Sequence, residues 1–318
     1  MPLDRILVTG GTGFLGRYVL KRLVAEGHRP LSTTFKETEE PLDAAFADAV
    51  DLVEVDLTDL GQTLELIASH RPAIVIHLAG TTGHNDPTGE RCRLINYEAT
   101  VNLLDALSAS DLNRVVLIGT AAEYGDQPIP FDESMPSRPL SPYGTSKALA
   151  NDHAMKMHVA SGLQVTILRV FTAFGYGQPH KMFLSQLITH GLLNKRFMMS
   201  DGEQKRDLVF IEDVAAAILA SLTAEKAVGR TINIGSGNGV PLRDVANAVW
   251  NACGADKELL EIGALEKTGD AAYDTEADIS LAREVLDWSP TVGILHGTAP
   301  SSALLETIAR MKFDLDRA

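Results

Sequence analysis

Residues 5–27 read RILVTGGTGFLGRYVLKRLVAEG, and this stretch restricts the fold more than any other. An apolar run from Arg5 to Thr9 suits the buried middle of a parallel sheet, where a strand is covered on both faces. It empties directly into glycines at 10, 13 and 16. A helix follows through Leu23 to Gly27, with Phe14, Leu15, Val19, Leu20 and Leu23 at helical spacing. Glycines let the backbone turn tightly and approach a pyrophosphate, whose charge is received by unpaired amides at the helix N-terminus. A glycine triplet alone can be no more than a turn. Strand, turn and helix in this order predict a dinucleotide site over Gly10, Thr12, Gly13, Phe14, Leu15, Gly16 and Arg17.

The alternation continues along the chain. Buried strands are expected at 30–35, 52–55, 73–78, 115–118, 165–170 and 231–234, with helical stretches between them, the longest at 90–108. The fold class is therefore α/β, a Rossmann-type doubly wound parallel sheet. From Thr172 the chain becomes irregular, is helical over Met182 to Thr189, and returns to the sheet side with SDGEQKRDLVFIEDV. We divide it into a dinucleotide-binding domain, residues 1–171 and 208–235, and a smaller C-terminal substrate-binding lobe, residues 172–207 and 236–318, that closes the cleft. A chain of 318 residues is long enough for both.

A formal net charge of −14 argues against nucleic acid or an anionic membrane as partner, because either would be repelled over most of the surface. The start MPLDRILV carries charges where a signal peptide needs an apolar run. The longest apolar stretch, Val214 to Leu222, is too short to span a bilayer, so a cytoplasmic protein is expected. Cys92 and Cys253 are the only cysteines, too few for a disulfide framework and without a partner at metal-ligand spacing; they read as buried or inert thiols, and no metal site is expected.

The end of the second strand reads STTFK, where an NAD site usually carries a carboxylate for the ribose hydroxyls. Thr33, Thr34 and Lys36 instead offer donors and a cation, with Arg17 as a partner, which favours NADP over NAD; Glu37 could still reach a ribose. Asp56, followed by Leu57, can accept from an adenine amino group or cap the helix that starts near Gly61. After the strand ending HLAG, the small Ala79 and Gly80 beside Leu78 let a cofactor pass close to the backbone, and His77 reads as a packed strand residue. Gly119 and Thr120 stand at the carboxyl end of the next strand, the side where ligands bind in open parallel sheets. In SPYGTSK, Tyr143 and Lys147 lie four apart on one helix face. A cation beside a phenol stabilises the phenolate and draws its pKa from about 10 toward neutrality, where acid–base transfer is most efficient.

Taken in order, TGGTGFLG, HLAG, GTAAEYG, SPYGTSK, RVFTAFG, KRDLVFIEDV and NIGSG resemble the extended short-chain dehydrogenase/reductases, specifically the NAD-dependent epimerase/dehydratase family. The resemblance covers nearly the whole chain. It implies Tyr143 as acid/base, Lys147 as the group that lowers the tyrosine pKa and binds the nicotinamide ribose, and Thr120 as the hydroxyl that polarises the reacting carbonyl. Asn96 takes the place of the family's helix asparagine, in contact with the cofactor or as a structural side chain, and Val170 lines the cofactor. The implied substrate is a nucleotide-diphosphate sugar, met by Thr81, Ala121, Ala122, Thr172, Arg206 and Lys267. Arg206 otherwise pairs with Asp207 or Asp213.

Three departures narrow the reaction. Sugar 4,6-dehydratases follow the threonine with an acidic pair, whereas Ala121 and Ala122 stand here, so dehydration loses its acid and base. Thr172 replaces the family's asparagine, and Lys267 in KTGD replaces an arginine, a point charge in place of a planar fork. The first expectation is a reductase of an NDP-4-keto-6-deoxysugar, the second an epimerase with tightly bound NAD, and the third a non-catalytic dinucleotide-binding regulator, disfavoured by the presence of Tyr143 and Lys147. The resemblance also implies a homodimer built on the Asn96 and Tyr143 helices. Leu103, Leu104, Leu107, Ala150, Ala154 and Met157 serve that seam or the core.

Overall fold

In the computed structural model, which describes residues 5–35, 42–83, 86, 88–108, 112–266 and 273–317, the apolar runs pair into one seven-stranded sheet. Its strands are β1 (Ile6–Thr9), β2 (Leu31–Thr34), β3 (Asp51–Glu54), β4 (Ile74–His77), β5 (Arg114–Thr120), β6 (Val165–Val170) and β7 (Arg230–Ile234). They lie in the order β7-β6-β5-β4-β1-β2-β3, and every pair is parallel. The winding reverses between β1 and β4. Connections diverge at such a point and leave a crevice at the carboxyl ends of the strands. Register sets Thr9 opposite His77 and Thr120 opposite Val170, so residues singled out from sequence share that one edge.

Helices cover both faces, which is why the inner strands are buried along almost their whole length. On one face α1 (Phe14–Ala25) presents Val19, Leu20 and Leu23 to Val214, Ala217 and Ile218 of the helix Ile211–Thr223. On the other, Leu66 and Ile67 of α2 (Leu60–His70) pack with Leu103, Leu104 and Leu107 of α3 (Ala99–Leu107) and Ala154 of α4 (Pro142–Ser161). Leu103, Leu104, Leu107, Ala150 and Ala154 are thus buried inside the single chain, and Met157 packs against them. The helical stretch that leads into α3 is not uniform. A first turn at Glu90–Cys92 passes through a π-helical segment, Arg93–Glu98, before α3 begins.

A third apolar cluster holds the helices Phe183–Leu192, Leu242–Cys253 and Ser302–Leu315 around Leu187, Val249, Trp250 and Leu304. Beside it, the strand Lys205–Phe210 pairs parallel with Thr172–Phe174 and antiparallel with Gly239–Pro241. Asp207 pins this region: its buried carboxylate accepts from the Ser236 amide and hydroxyl (2.6 and 2.7 Å) and from the Gly237 and Ala277 amides (both 3.0 Å). Ala282, Val285, Leu286 and Trp288 pack instead with the sheet cluster, and the Trp288 indole donates to the Asp213 carbonyl at 2.9 Å. No helix among the described residues is long and apolar enough to cross a membrane.

Candidate active site

The glycine turn is built on close backbone approach. Gly10 sits at φ +68°, and a Cβ there would stand 2.8 Å from the Ala79 nitrogen and Cα. A Cβ on Gly16 would meet the Gly10 carbonyl oxygen at 2.4 Å and Gly11 Cα at 2.5 Å. The turn is closed by the Gly13 amide donating to the Gly10 carbonyl at 3.0 Å, and the Gly10 amide donates to Thr33 Oγ1 at 3.1 Å. Gly13 caps α1 without a side-chain bond, and the first turn carries no acid. Its leading amides therefore have no intrahelical acceptor and no competing anion, which fits a pyrophosphate. Gly16→Ala is expected to cost about 1–3 kcal/mol of stability by overpacking, and to weaken dinucleotide binding with it; denaturant unfolding and fluorescence titration with NADH measure the two effects.

Thr33 is used by the turn, Thr34 is half-buried, and Lys36 and Glu37 lie outside the described residues. Arg17 lies on the Phe14 face of α1. Its Nε donates to the Thr12 carbonyl at 2.7 Å, and the side chain lines a cavity of about 270 Å³ with Phe14, Tyr18, Lys21, Tyr176 and Arg310. The helix dictates this, since positions 14, 17, 18 and 21 share one face. Asp56 does not cap α2; Asp59 does, accepting the Gln62 amide at 3.1 Å. Asp56 instead closes its own turn, accepting from the Thr58 amide (2.9 Å) and hydroxyl (2.7 Å). Leu57 is buried in the core, and its carbonyl accepts from Asn102 Nδ2 at 3.1 Å.

Tyr143 and Lys147 are delivered by α4, whose start is written in SPYG: Ser141 caps it by accepting the Gly144 amide at 3.2 Å, and Pro142 occupies the first turn. Gly144 lets this turn press on the end of β5, because a Cβ there would meet the Ala122 carbonyl oxygen at 2.5 Å. The Thr120 hydroxyl is close enough to the Tyr143 phenol to favour its ionisation. Lys147 Nζ donates to the Ile118 carbonyl at 3.0 Å and lies 3.3 Å from the Cβ position of Gly80. The ammonium thus stands between the ends of β5 and β4.

The electrostatics reverse one expectation. Burial pushes the Tyr143 phenol up to about 12, outweighing the Thr120 hydroxyl, and the nearby Glu123 and Cys92 push the same way. Lys147 does not draw it down: its ammonium faces a carbonyl, and burial lowers its own pKa to about 8. Desolvation of an enclosed phenolate is the larger effect here. The phenol is held as an acid. Cys92 is 1% exposed, and burial raises its thiol pKa, in keeping with an inert thiol.

Asn96, expected beside the cofactor, has its amide engaged within the chain. Its Oδ1 accepts the Thr81 amide at 2.8 Å, and its Nδ2 donates to the Thr81 carbonyl at 2.9 Å and to Ser146 Oγ at 3.0 Å. Ser146 in turn donates to the Tyr143 carbonyl at 2.8 Å. Asn96 lies in the π-helical segment and is its buried residue. Behind it His77 is packed, as expected, and more fully bonded than the sequence suggests. The Thr9 hydroxyl accepts the Ala79 amide (3.2 Å) and faces His77 Nδ1 at 2.7 Å. The Thr100 hydroxyl donates to the Asn96 carbonyl (2.7 Å), so it accepts from His77 Nε2 (2.9 Å). The Thr100 contact requires a proton on Nε2, and burial lowers the pKa of the ring to about 3, so the ring is the neutral Nε2–H tautomer.

On the substrate side the expected residues are dispersed. Ala121 is buried with Tyr124, Phe131 and Phe171 in an aromatic cluster, so its methyl is core, while Ala122 is half-buried. Thr81 is held through its backbone by Asn96, and Val170 ends β6 beside Thr120. Thr172 is half-buried opposite Leu208. Arg206 donates to the Lys205 carbonyl at 2.9 Å and to the Tyr273 carbonyl, with its guanidinium 5.8 Å from the Tyr273 ring centre. Asp207 serves the loops, and Asp213 accepts from the Thr291 amide and hydroxyl, so neither is the arginine's pair. Lys267 lies outside the described residues.

Switch point, glycine turn and a Tyr–Lys helix beside a strand-end threonine define a dinucleotide-dependent enzyme of the extended short-chain dehydrogenase/reductase class. The chain belongs to the NAD dependent epimerase/dehydratase family, whose model matches residues 6–235. It is 29% identical to a dTDP-6-deoxy-L-talose 4-dehydrogenase (NAD(P)(+)) from Kitasatospora kifunensis, over 90% of this chain and 91% of that one. It is 28% identical to a UDP-glucose 4-epimerase from Mycolicibacterium smegmatis, over 93% and 96%. The crystal structure of UDP-glucuronic acid 4-epimerase from Bacillus cereus, in complex with UDP-glucuronic acid and NAD, superposes with a TM-score of 0.82 at 25% identity and covers 96% of this chain and 99% of that one.

Proposed function

We propose that this enzyme moves hydride at C4 of a nucleotide-diphosphate sugar and works as a 4-epimerase with NAD. The observation that carries the reading is the convergence of the buried Tyr143 phenol and Thr120 at the carboxyl end of β5, with Lys147 one turn along α4 and bonded to the same strand. The three proteins compared above act, by name, at position 4 of a nucleotide sugar, and two of them are epimerases. Alanines at 121 and 122 leave dehydration without its carboxyls.

Tyr143 takes the proton of the C4 hydroxyl and returns it once the ketone has presented its other face. Thr120 donates to the same oxygen, so no free alkoxide develops. Lys147 holds the ribose hydroxyls, and the amides of Phe14, Leu15 and Gly16 receive the pyrophosphate. The dinucleotide, when bound, supplies the hydride acceptor and, in its oxidised form, a positive charge. Arg206 meets the sugar's diphosphate, and the region around the helices Phe183–Leu192, Leu242–Cys253 and Ser302–Leu315 supplies the lobe over it.

A reductase of a 4-keto-6-deoxysugar using NADPH is the second reading. It is favoured by a protonated Tyr143 and by the absence of a carboxylate at Thr33, Thr34 and Phe35, the described end of β2. Denaturing the purified protein separates the two. Release of stoichiometric NAD(H), with interconversion of UDP-glucose and UDP-galactose or of UDP-glucuronate and its C4 epimer without added cofactor, is the expected result. Empty protein that consumes NADPH with a keto sugar assigns the reductase instead.

A further inference from the structure

Glu123, in GTAAEYG, has no task in the reaction proposed above, yet it is fully buried. Its Oε1 accepts from the Thr120 amide at 2.8 Å and from Asn151 Nδ2 at 2.8 Å. Its Oε2 accepts from Arg169 Nε at 2.9 Å. Arg169, on β6, also donates to Ser137 Oγ at 2.9 Å and lies over the Tyr124 ring at 4.6 Å. The three groups converge beneath Gly119: a Cβ there would stand 2.5 Å from Glu123 Oε1, 2.7 Å from Asn151 Nδ2 and 3.1 Å from Arg169 Cγ. One carboxylate therefore joins the end of β5, the adjacent strand β6 and the helix α4 that carries Tyr143 and Lys147.

Sequence invites another role for it, as the missing acid of a dehydratase displaced by one or two positions. The structure excludes this, since both oxygens point into the chain and are occupied by protein donors. Nor is stability a sufficient reason. A buried ion pair gains little over well-packed apolar side chains, because both charges must leave water. What it does supply is direction: Oε1 accepts from Thr120 and from α4 at once, and Arg169 fixes the other oxygen.

We propose that Glu123 is a positioning residue, tying the Thr120 backbone to Asn151 so that Thr120 and the Tyr143 helix are held side by side at the end of β5. The catalytic roles of Thr120 and Tyr143 rest on the proposed function; the tie itself does not. The arrangement has a second consequence. The groups that act on the Tyr143 phenol are Thr120 and Glu123 at the end of β5 and Cys92 in the turn Glu90–Cys92, while Lys147 on the same helix is turned to the Ile118 carbonyl. The Glu123 carboxylate opposes ionisation of the phenol, whereas the Thr120 hydroxyl favours it.

Two variants separate the two effects. Asn151→Leu cuts the tie to α4 and leaves the ion pair. Glu123→Gln with Arg169→Met keeps an oxygen for Thr120 and Asn151 and removes both charges together. Ionisation of Tyr143 is read from the 13C signal of labelled tyrosine Cζ in protein loaded with NAD⁺, assigned by comparison with Tyr143→Phe. All proteins are measured at one alkaline pH where circular dichroism shows them folded. The phenolate fraction is expected to fall in Asn151→Leu and to rise in the double variant. Where turnover is measurable, Asn151→Leu should lower kcat about 10-fold, as expected for a displaced reacting group, with KM and NADH affinity within about twofold. Unchanged ionisation in both variants, or a loss that only follows melting temperature, overturns the proposal. Because the signal needs no substrate, a wild-type protein inert toward nucleotide sugars would sink the proposed function and leave this test standing.

Discussion

Tyr143→Phe is expected to lower turnover by about 10²–10⁴-fold, the usual worth of a positioned general acid or base, while NADH binds as it does to the wild type. The substitution removes one oxygen and keeps the ring. The contacts that seat this stretch of α4 use other atoms: Ser146 bonds the Tyr143 carbonyl, Ser141 caps the helix, and Gly144 packs on Ala122. Folding stability should therefore change little, and the loss should fall on kcat. Lys147→Met should behave differently. It leaves the Ile118 carbonyl without its donor and removes the cation proposed to hold the ribose, so cofactor affinity and turnover should fall together. Initial rates, paired with NADH titration and a melting curve for each protein, give the comparison. Wild-type turnover in Tyr143→Phe would remove the phenol from the mechanism.

The parts of this molecule that were legible in sequence are those whose causes are local. The glycine turn could be read because strand, turn and helix are contiguous and each glycine answers to a neighbour within the same unit or to Ala79 across the switch point. Ser141 and Pro142 announce the start of α4, and the buried strands announce themselves by composition. Strand ends moved by a residue or two, as at Asp51–Glu54, where hydrogen bonding and not hydropathy sets the boundary. What could not be read depends on distant contacts. His77 meets Thr9 across 68 positions and Thr100 across 23, and Glu123 meets Asn151 and Arg169 across 28 and 46. The Tyr143–Lys147 electrostatics failed for a related reason. Spacing shows that two side chains share a helix face, but the sign of the net shift depends on how fully each is enclosed, and here desolvation exceeds the pair's attraction.

His77 leads to the second large effect, on stability at acid pH. In the unfolded chain a histidine titrates near pH 6.5, whereas burial holds the folded ring's pKa at about 3. Between those values the unfolded state binds a proton that the folded state refuses, so stability rises with pH through that window. The contribution is fully present above about pH 6.5 and is lost as pH falls toward 3, to a total of about 5 kcal/mol. On protonation Nδ1 becomes a donor, so the Thr9 hydroxyl, which has two lone pairs, must accept from it as well as from the Ala79 amide and turn its own hydrogen elsewhere. His77→Gln keeps an acceptor and a donor without a titrating group. It should be less stable at neutral pH by about 1–3 kcal/mol, the cost of an imperfectly satisfied buried pair. Its stability should fall less steeply than that of the wild type from pH 6.5 to 4.5, so the two curves converge on acidification. Urea midpoints measured for both proteins across this range give the slopes. Equal slopes would mean that the acid sensitivity belongs to the buried carboxylates and not to His77.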